Sequence, residues 1–350
     1  MKTISISQLK KIGILLLMVI TTFTTCRKKN NAQPQSALTP VAVYVAGYES
    51  NGTKDVAKIW KDGIPASLTN GNQNAYANAV YVAGTDVYAV GLEYNGKKYV
   101  AKLWKNGVAI NLSDGNQQST ANSTFVFGND VYAAGYEFDG TKNVAKIWKN
   151  NIPISLADVS LETYASSVYV LGNDVYVAGY HYNRPTGKYT AMLWKNGVAT
   201  ELTDGSFSTF ANSVYVLGID VYVVGRSYDG TINTAIIWKN GIGSLLTDGT
   251  KQAIARSVFV QGTDVYATGE ESNGTKNVAK IWKNGIKIAD LSDGNFNTTA
   301  SNIFVNGTDV YVAGHEYTGT KYIAKLWKNG VITNLTDGSN SATAAAVFVK

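Results

Sequence analysis

Few side chains in this 350-residue chain could carry chemistry, and their spacing narrows what they could do. There are two histidines, His181 and His315, and a single cysteine, Cys26. Structural and catalytic zinc sites need three or four N, S or O ligands at short, regular spacing, and two isolated histidines do not supply them. No Gly-x-Ser-x-Gly elbow and no glycine-rich phosphate loop ahead of a helix occurs. Neither histidine lies in a motif that would pair it with a nucleophile. No cofactor or metal is expected. Paired carboxylates for glycosidic cleavage can meet only in space, which leaves a polysaccharide hydrolase or lyase as the third-ranked function.

The arginines are more informative. Beyond residue 40 there are three, Arg184, Arg226 and Arg256, in a region otherwise served by lysine. The planar guanidinium fork recognises carboxylate, sulfate or phosphate with two parallel hydrogen bonds. His181, Glu162 and Tyr164 lie close to Arg184 in sequence. These six residues are the expected ligand-binding set, with a glycan or small anionic molecule as ligand. His181 and His315 read as occupying nearby positions where other units carry Glu93 and Glu137. Asp86, Asp130, Asp174, Asp220, Asp264 and Asp309 recur at one place and read as turn residues bonding their own backbone. The Asp-Gly pairs such as Asp114-Gly115 read the same way. Lys58, Lys61, Lys102 and Lys105 read as solvated or packed stems.

The elements that must position these residues follow from the tryptophans. Trp60, Trp104, Trp148, Trp194, Trp238, Trp282 and Trp327 are spaced 44, 44, 46, 44, 44 and 45 residues apart, and they are all the tryptophans of the chain. Each unit contains four short runs rich in Val, Ile and Tyr; in the second unit these are 79–82, 87–91, 100–105 and 109–112. Gly84-Thr85-Asp86, Asn95-Gly96 and Asn106-Gly107 supply the hairpin turns between them. Four antiparallel strands in about 44 residues, repeated seven times, specify an all-β, single seven-bladed β-propeller. The region opens at Val41 on a second-strand pattern and ends at 344–350 on a first-strand pattern. The C-terminal strand should therefore close the first blade.

Alternating strand direction sends the short first–second and third–fourth turns to one face. The second–third hairpins and the fourth-to-first crossings go to the other, and these loops vary between units. Binding on a rigid scaffold is expected on the variable face, where Tyr76, Tyr164, Phe207, Phe210 and Phe296 also fall. One sector breaks the symmetry: the crossing 157–166 lacks the Asp-Gly turn, the hairpin after His181 gains two residues, and Met192 and Ile236 replace a lysine.

Residues 1–40 carry six basic side chains and no acidic one, which leaves 25 basic against 25 acidic residues in 41–350. The net charge of +6 is thus confined to the N-terminus, and nucleic acid is not an expected partner. Lys10 and Lys11 precede an apolar run from Ile12 to Ile20, too short to span a membrane and typical of a secretory signal. With Phe23-Thr24-Thr25 before Cys26, the segment resembles a bacterial lipoprotein signal, although Thr25 stands where Gly, Ala or Ser is usual. The resemblance implies a signal peptide over 1–25, lipidation at Cys26, a polar tether over 26–40 and the propeller over 41–350. The repeats resemble those of bacterial lipoprotein propellers built on VYVAG…AKIWKNG. They lack the Gly-His and Trp-Asp signals of WD40 blades and the double glycine of kelch blades.

The expected protein is a monomeric binding module of a Gram-negative envelope, attached to the outer membrane through lipid only and facing the periplasm or the cell surface. The alternative is a protein–protein scaffold, similar to the propeller lipoprotein of the outer-membrane barrel-assembly machine, with another envelope protein as partner.

Overall fold

The structure, a computed structural model, describes residues 41–156 and 161–350. The signal, the Cys26 anchor, the tether and the start of the crossing at 157 lie outside the described residues. No described helix is long and apolar enough to cross a membrane.

Twenty-eight strands form seven four-stranded antiparallel sheets. Blade 1 is ordered β28 (Ala342–Val349), β1 (Val43–Ser50), β2 (Asp55–Lys61), β3 (Ile64–Ser67), and each later blade uses four consecutive strands. The C-terminal strand thus closes the first blade, with Val43 opposite Val349 and Glu49 opposite Ala342. Strands extend further than apolar runs suggest. In blade 2, β4 (Ala75–Ala83) and β5 (Asp86–Tyr94) continue toward the loop face through polar residues, because ladder hydrogen bonds use backbone and not side chain.

Seven apolar clusters fill the seven blade interfaces. Each tryptophan is fully buried and packs on the preceding blade; Trp104 of blade 2 sits with Tyr44, Ala46, Ala57 and Ile59 of blade 1. Blades 7 and 1 share an equivalent cluster around Trp60, so the ring has no open interface.

The repeated aspartates do not bond their own turn backbone. Asp86 accepts from Lys105 Nζ at 2.8 Å, from Asn106 Nδ2 at 2.8 Å and from the Tyr88 hydroxyl at 3.2 Å. Asn106, at φ 50°, returns its Oδ1 to the Val87 amide. As the first residue of its strand, Asp86 lies beside the next hairpin, and its carboxylate reaches across to it. The lysine holds each such carboxyl below its ordinary range. Blade 1 lacks the aspartate and places Asp62 where the asparagine stands elsewhere, accepting from the Val43 amide at 2.8 Å. The lysines two before tryptophan are paired too: Lys58 with Glu49 and Lys102 with Glu93, both at 2.9 Å. The Asp-Gly pairs are turns, in which Asp114, Asp204, Asp248, Asp293 and Asp337 each accept the amide two residues on.

The inner strands surround an axial channel. Near its short-turn end Tyr81, Phe125, Tyr169, Tyr215, Phe259, Phe304 and Phe348, one per blade, form a closed annulus with ring centroids 4.7–5.0 Å apart. Toward the loop face each inner strand carries a bulge opposite a second-strand glycine. A Cβ on Gly225 would lie 1.8 Å from the Phe210 carbonyl oxygen, so only glycine fits.

Candidate ligand site at the loop-face mouth

The residue following that glycine lies on the loop-face side of its second strand. Around the ring the position is Tyr48, Leu92, Tyr136, Tyr180, Arg226, Glu270 and His315. Three of these seven positions are tyrosine and one is leucine, and the other three, in consecutive blades, are charged or polar.

On the aromatic side Tyr164 of β12 (Glu162–Leu171) stacks on Tyr180 of β13 (Asp174–Asn183), with centroids 4.9 Å apart. Tyr136 meets Tyr164 edge-on at 4.9 Å, and Tyr180 meets Phe210 of blade 5 at 5.0 Å. Burial pushes the Tyr180 hydroxyl up to about 12, so it remains a neutral donor. Phe210 in turn carries the Arg226 guanidinium, 4.2 Å above its ring.

On the charged side Arg256 occupies the bulge of β20 (Ala253–Gln261). It lies inside the first strand of its blade, where the apolar pattern places it just before. Its Nε and Nη2 donate to the two oxygens of Glu270 at 2.7 and 2.6 Å, a bidentate pair in which the glutamate side chain is 5% exposed. Burial lowers the Arg256 pKa, but Glu270 more than offsets this, and the net shift is upward. Arg226 has no acidic or hydrogen-bonding partner among the described residues. Its pKa is lowered, first by burial and then by repulsion from Arg256. Burial and Arg256 together also hold His315 neutral, at about 4, and its Nδ1 is buried without a partner.

Of the six expected residues, the structure brings Arg226 and Arg256 within electrostatic reach of each other. Arg184 is separate: it is exposed on the enlarged hairpin and reaches Glu162 at 3.5 Å. Glu162 accepts the Tyr164 hydroxyl at 2.6 Å, so Arg184, Glu162 and Tyr164 form one network joined to Arg226 only through stacked rings. His181 points away from this layer. It is buried against Glu201, with Nε2 3.1 Å from Oε1. The two histidines are not equivalent: His181 aligns with Glu93 and Glu137, whereas His315 aligns with their predecessors Leu92 and Tyr136. One residue of offset puts them on opposite faces of the strand. Blade 4 has also lost the lysine of the usual pair to Met192, and His181 takes its acid from the outer strand instead.

Glu270 and Tyr180 belong to the site without having been singled out from sequence, and Phe210 was visible there only as one of the aromatics of the variable face. The signal was present: the residue after the second-strand glycine is the most varied one next to an invariant one. Among the described residues no group of three or more potential metal ligands converges.

No family model and no curated protein matches the sequence. Solved structures do match its fold. Acylaminoacyl peptidase from Pyrococcus horikoshii superposes with a TM-score of 0.52 at 14% identity, over 86% of this chain and 51% of that one. The chain thus spans about half the length of that peptidase. The β-propeller domain of the trilobed protease from Pyrococcus furiosus, whose topology is described as open velcro, gives 0.52 at 13% identity over 86% and 93%. TolB from Acinetobacter baumannii gives 0.46 at 12% over 70% and 61%. At such identities the likeness defines a β-propeller and nothing finer.

Proposed function

We propose that this protein is a binding module of the bacterial cell envelope that takes a glycan or small anionic ligand at the loop-face mouth of its channel. The observation that carries the reading is Arg226: a half-buried guanidinium stacked on Phe210, with no acid of its own and a second guanidinium beside it. Desolvating a cation without a partner is costly, and an anion arriving there would relieve that cost. The neighbouring Tyr164–Tyr180–Phe210 cluster backs this guanidinium with packed aromatic rings whose edges a sugar could meet. Arg256 and Glu270 neutralise each other, which leaves one net positive charge and favours a monoanion such as an acidic or singly sulfated sugar.

Val41 lies at the short-turn end, where the Ala42 amide bonds the Lys350 carbonyl, and the mouth opens at the opposite end. A second reading, the scaffold, draws on Phe127, Leu171, Leu217 and Ile219, which are exposed on the short-turn face of consecutive blades.

An array of neutral, acidic and sulfated glycans probed with residues 41–350 tests the first reading. Acidic glycans should be retained, and Arg226→Ala should weaken binding roughly tenfold or more, as loss of a charge-assisted contact of about 1.5–3 kcal/mol requires. Arg226→Lys should recover little. Equal binding by wild type and Arg226→Ala would overturn the site, and capture of one envelope protein through the short-turn face would favour the scaffold.

A further inference from the structure

The chain contains ten Asn-Gly pairs, all of them within the described residues. Such a pair can modify itself: the glycine nitrogen attacks the asparagine Cγ, ammonia leaves, a cyclic succinimide forms, and water reopens it. Glycine permits the attack because no Cβ shields its nitrogen. In a folded chain the reaction requires a carboxamide that is free to swing onto that nitrogen.

Nine of the ten carboxamides are held. In five blades the asparagine closes the third–fourth hairpin as Asn106 does, with Oδ1 accepting a valine amide and Nδ2 donating to an aspartate, at 2.7–3.1 Å. Asn51, Asn95 and Asn273 each accept the amides two and three residues on, at 2.8–3.0 Å, and donate to a glycine carbonyl. Asn70 accepts the Asn72 amide at 3.0 Å.

Asn306 is the exception. It ends β24 (Asn297–Asn306) and pairs with Asp309, the first residue of β25 (Asp309–Tyr317), so Gly307 and Thr308 form a two-residue turn on the short-turn face. Its side chain is exposed and makes no hydrogen bond among the described residues. The reason is its length. At the same position in blade 6, Gln261 reaches the Gly307 carbonyl of the next blade; asparagine is one methylene shorter and finds no such partner. The nucleophile is free as well. The Gly307 amide starts the turn at φ 62° and donates to no backbone acceptor. A Cβ built there would meet nothing within 4 Å, so the space around it is open.

We propose that Asn306-Gly307 is a spontaneous modification site, at which the folded ring converts one amide to a carboxylate while the other nine persist. The Gly307 nitrogen gives up its proton and bonds to Asn306 Cγ; the Cγ–Nδ2 bond breaks, and the amide nitrogen leaves with that proton as ammonia. Water adds to either succinimide carbonyl, giving aspartate or isoaspartate at position 306, and no other reactant is needed. Either product puts a new negative charge beside Asp309, which Lys328 pairs at 2.8 Å. Isoaspartate also lengthens the main chain by one methylene, which a two-residue turn cannot absorb in register. The site is separate from the mouth and does not rest on the glycan reading.

Residues 41–350 suffice to test it, because the ring closes on itself through β1 and β28 and forms a contact unit apart from 1–40. The folded protein is aged in mildly alkaline buffer, and peptide mass spectrometry follows each amide, with isoaspartyl methyltransferase labelling for the isoaspartate product. A parallel sample in urea, where every clamp is released, should lose ammonia from all ten pairs at similar rates. In the folded ring position 306 should react faster than the clamped asparagines by about fivefold for each hydrogen bond that closure must break, one such bond being worth about 1 kcal/mol. Asn306→Gln, the blade 6 residue, should abolish this first release of ammonia. A clamped asparagine that converts as fast as Asn306 in the folded ring would overturn the proposal. So would an intact Asn306 after the urea sample has reacted, or ammonia release unchanged in Asn306→Gln.

Discussion

Arg256→Asn should destabilise the ring, and a second change, Glu270→Leu, should restore most of what is lost. The first substitution removes both hydrogen bonds to Glu270 and leaves its carboxylate almost fully enclosed. Breaking a buried ion pair by removing one partner costs about 3–5 kcal/mol. The Arg256 side chain is 37% exposed, so solvent screening trims this to about 2–3 kcal/mol. At roughly 2 °C per kcal/mol for a domain of this size, the melting temperature should fall by about 4–6 °C. The protein contains its own control. Blade 2 carries Asn78 and Leu92 at these positions, and Asn78 Nδ2 bonds the Ala121 carbonyl of the next blade at 2.9 Å. Asn122 and Asn212 do the same in blades 3 and 5. The double variant therefore transplants a pair the fold already accommodates and removes the orphaned charge. Scanning calorimetry of both variants provides the assay. The reasoning is refuted if the single variant melts with wild type, or if the double variant is no more stable than the single.

Deletion of 342–350 removes β28, exposing the full edge of β1 and the cluster around Trp60; burial of Val347 and Val349 alone contributes about 3–6 kcal/mol, and the truncated ring should aggregate or melt far below the parent on heating, while an unchanged melt would mean the ring does not depend on this closure. Gly225→Ala, which forces a Cβ against the Phe210 carbonyl, should cost more than Gly218→Ala, whose position at φ 60° is open, by urea denaturation. His315 is held neutral at about 4 against an ordinary 6.5; its contribution is complete above pH 6.5 and is lost as pH falls toward 4, so His315→Tyr, the blade 1 residue, should flatten the acid limb of the stability curve. Cys26→Ser should move the protein from the membrane to the soluble fraction or stop its maturation; persistence with membranes after a salt wash would place the anchor elsewhere.

The repeat count, the closing strand and the division into a short-turn face and a loop face were all legible in the sequence, because each rests on local rules. Tryptophan spacing counts blades, Asn-Gly fixes hairpins, and alternating strand direction assigns loops to faces. The partnership of Asp86, Lys105 and Asn106 was hidden because its members are far apart along the chain and meet only when β5 and β6 (Tyr99–Lys105) pair. The arginines were visible as departures from the repeat, but their fates were not. Arg256 is satisfied by Glu270 because a bulge turns it toward β21 (Asp264–Ser272), Arg226 is left unpaired over Phe210, and Arg184 is drawn outward to Glu162. Likewise the offset between His181 and His315 is a single residue, invisible as proximity in sequence and decisive in a strand, where it exchanges one face for the other. Local pattern fixes which strands form and how many. Which side chains share one charge, one ring face or one channel is set by the closure of seven blades around an axis, which brings residues from different repeats to the same height.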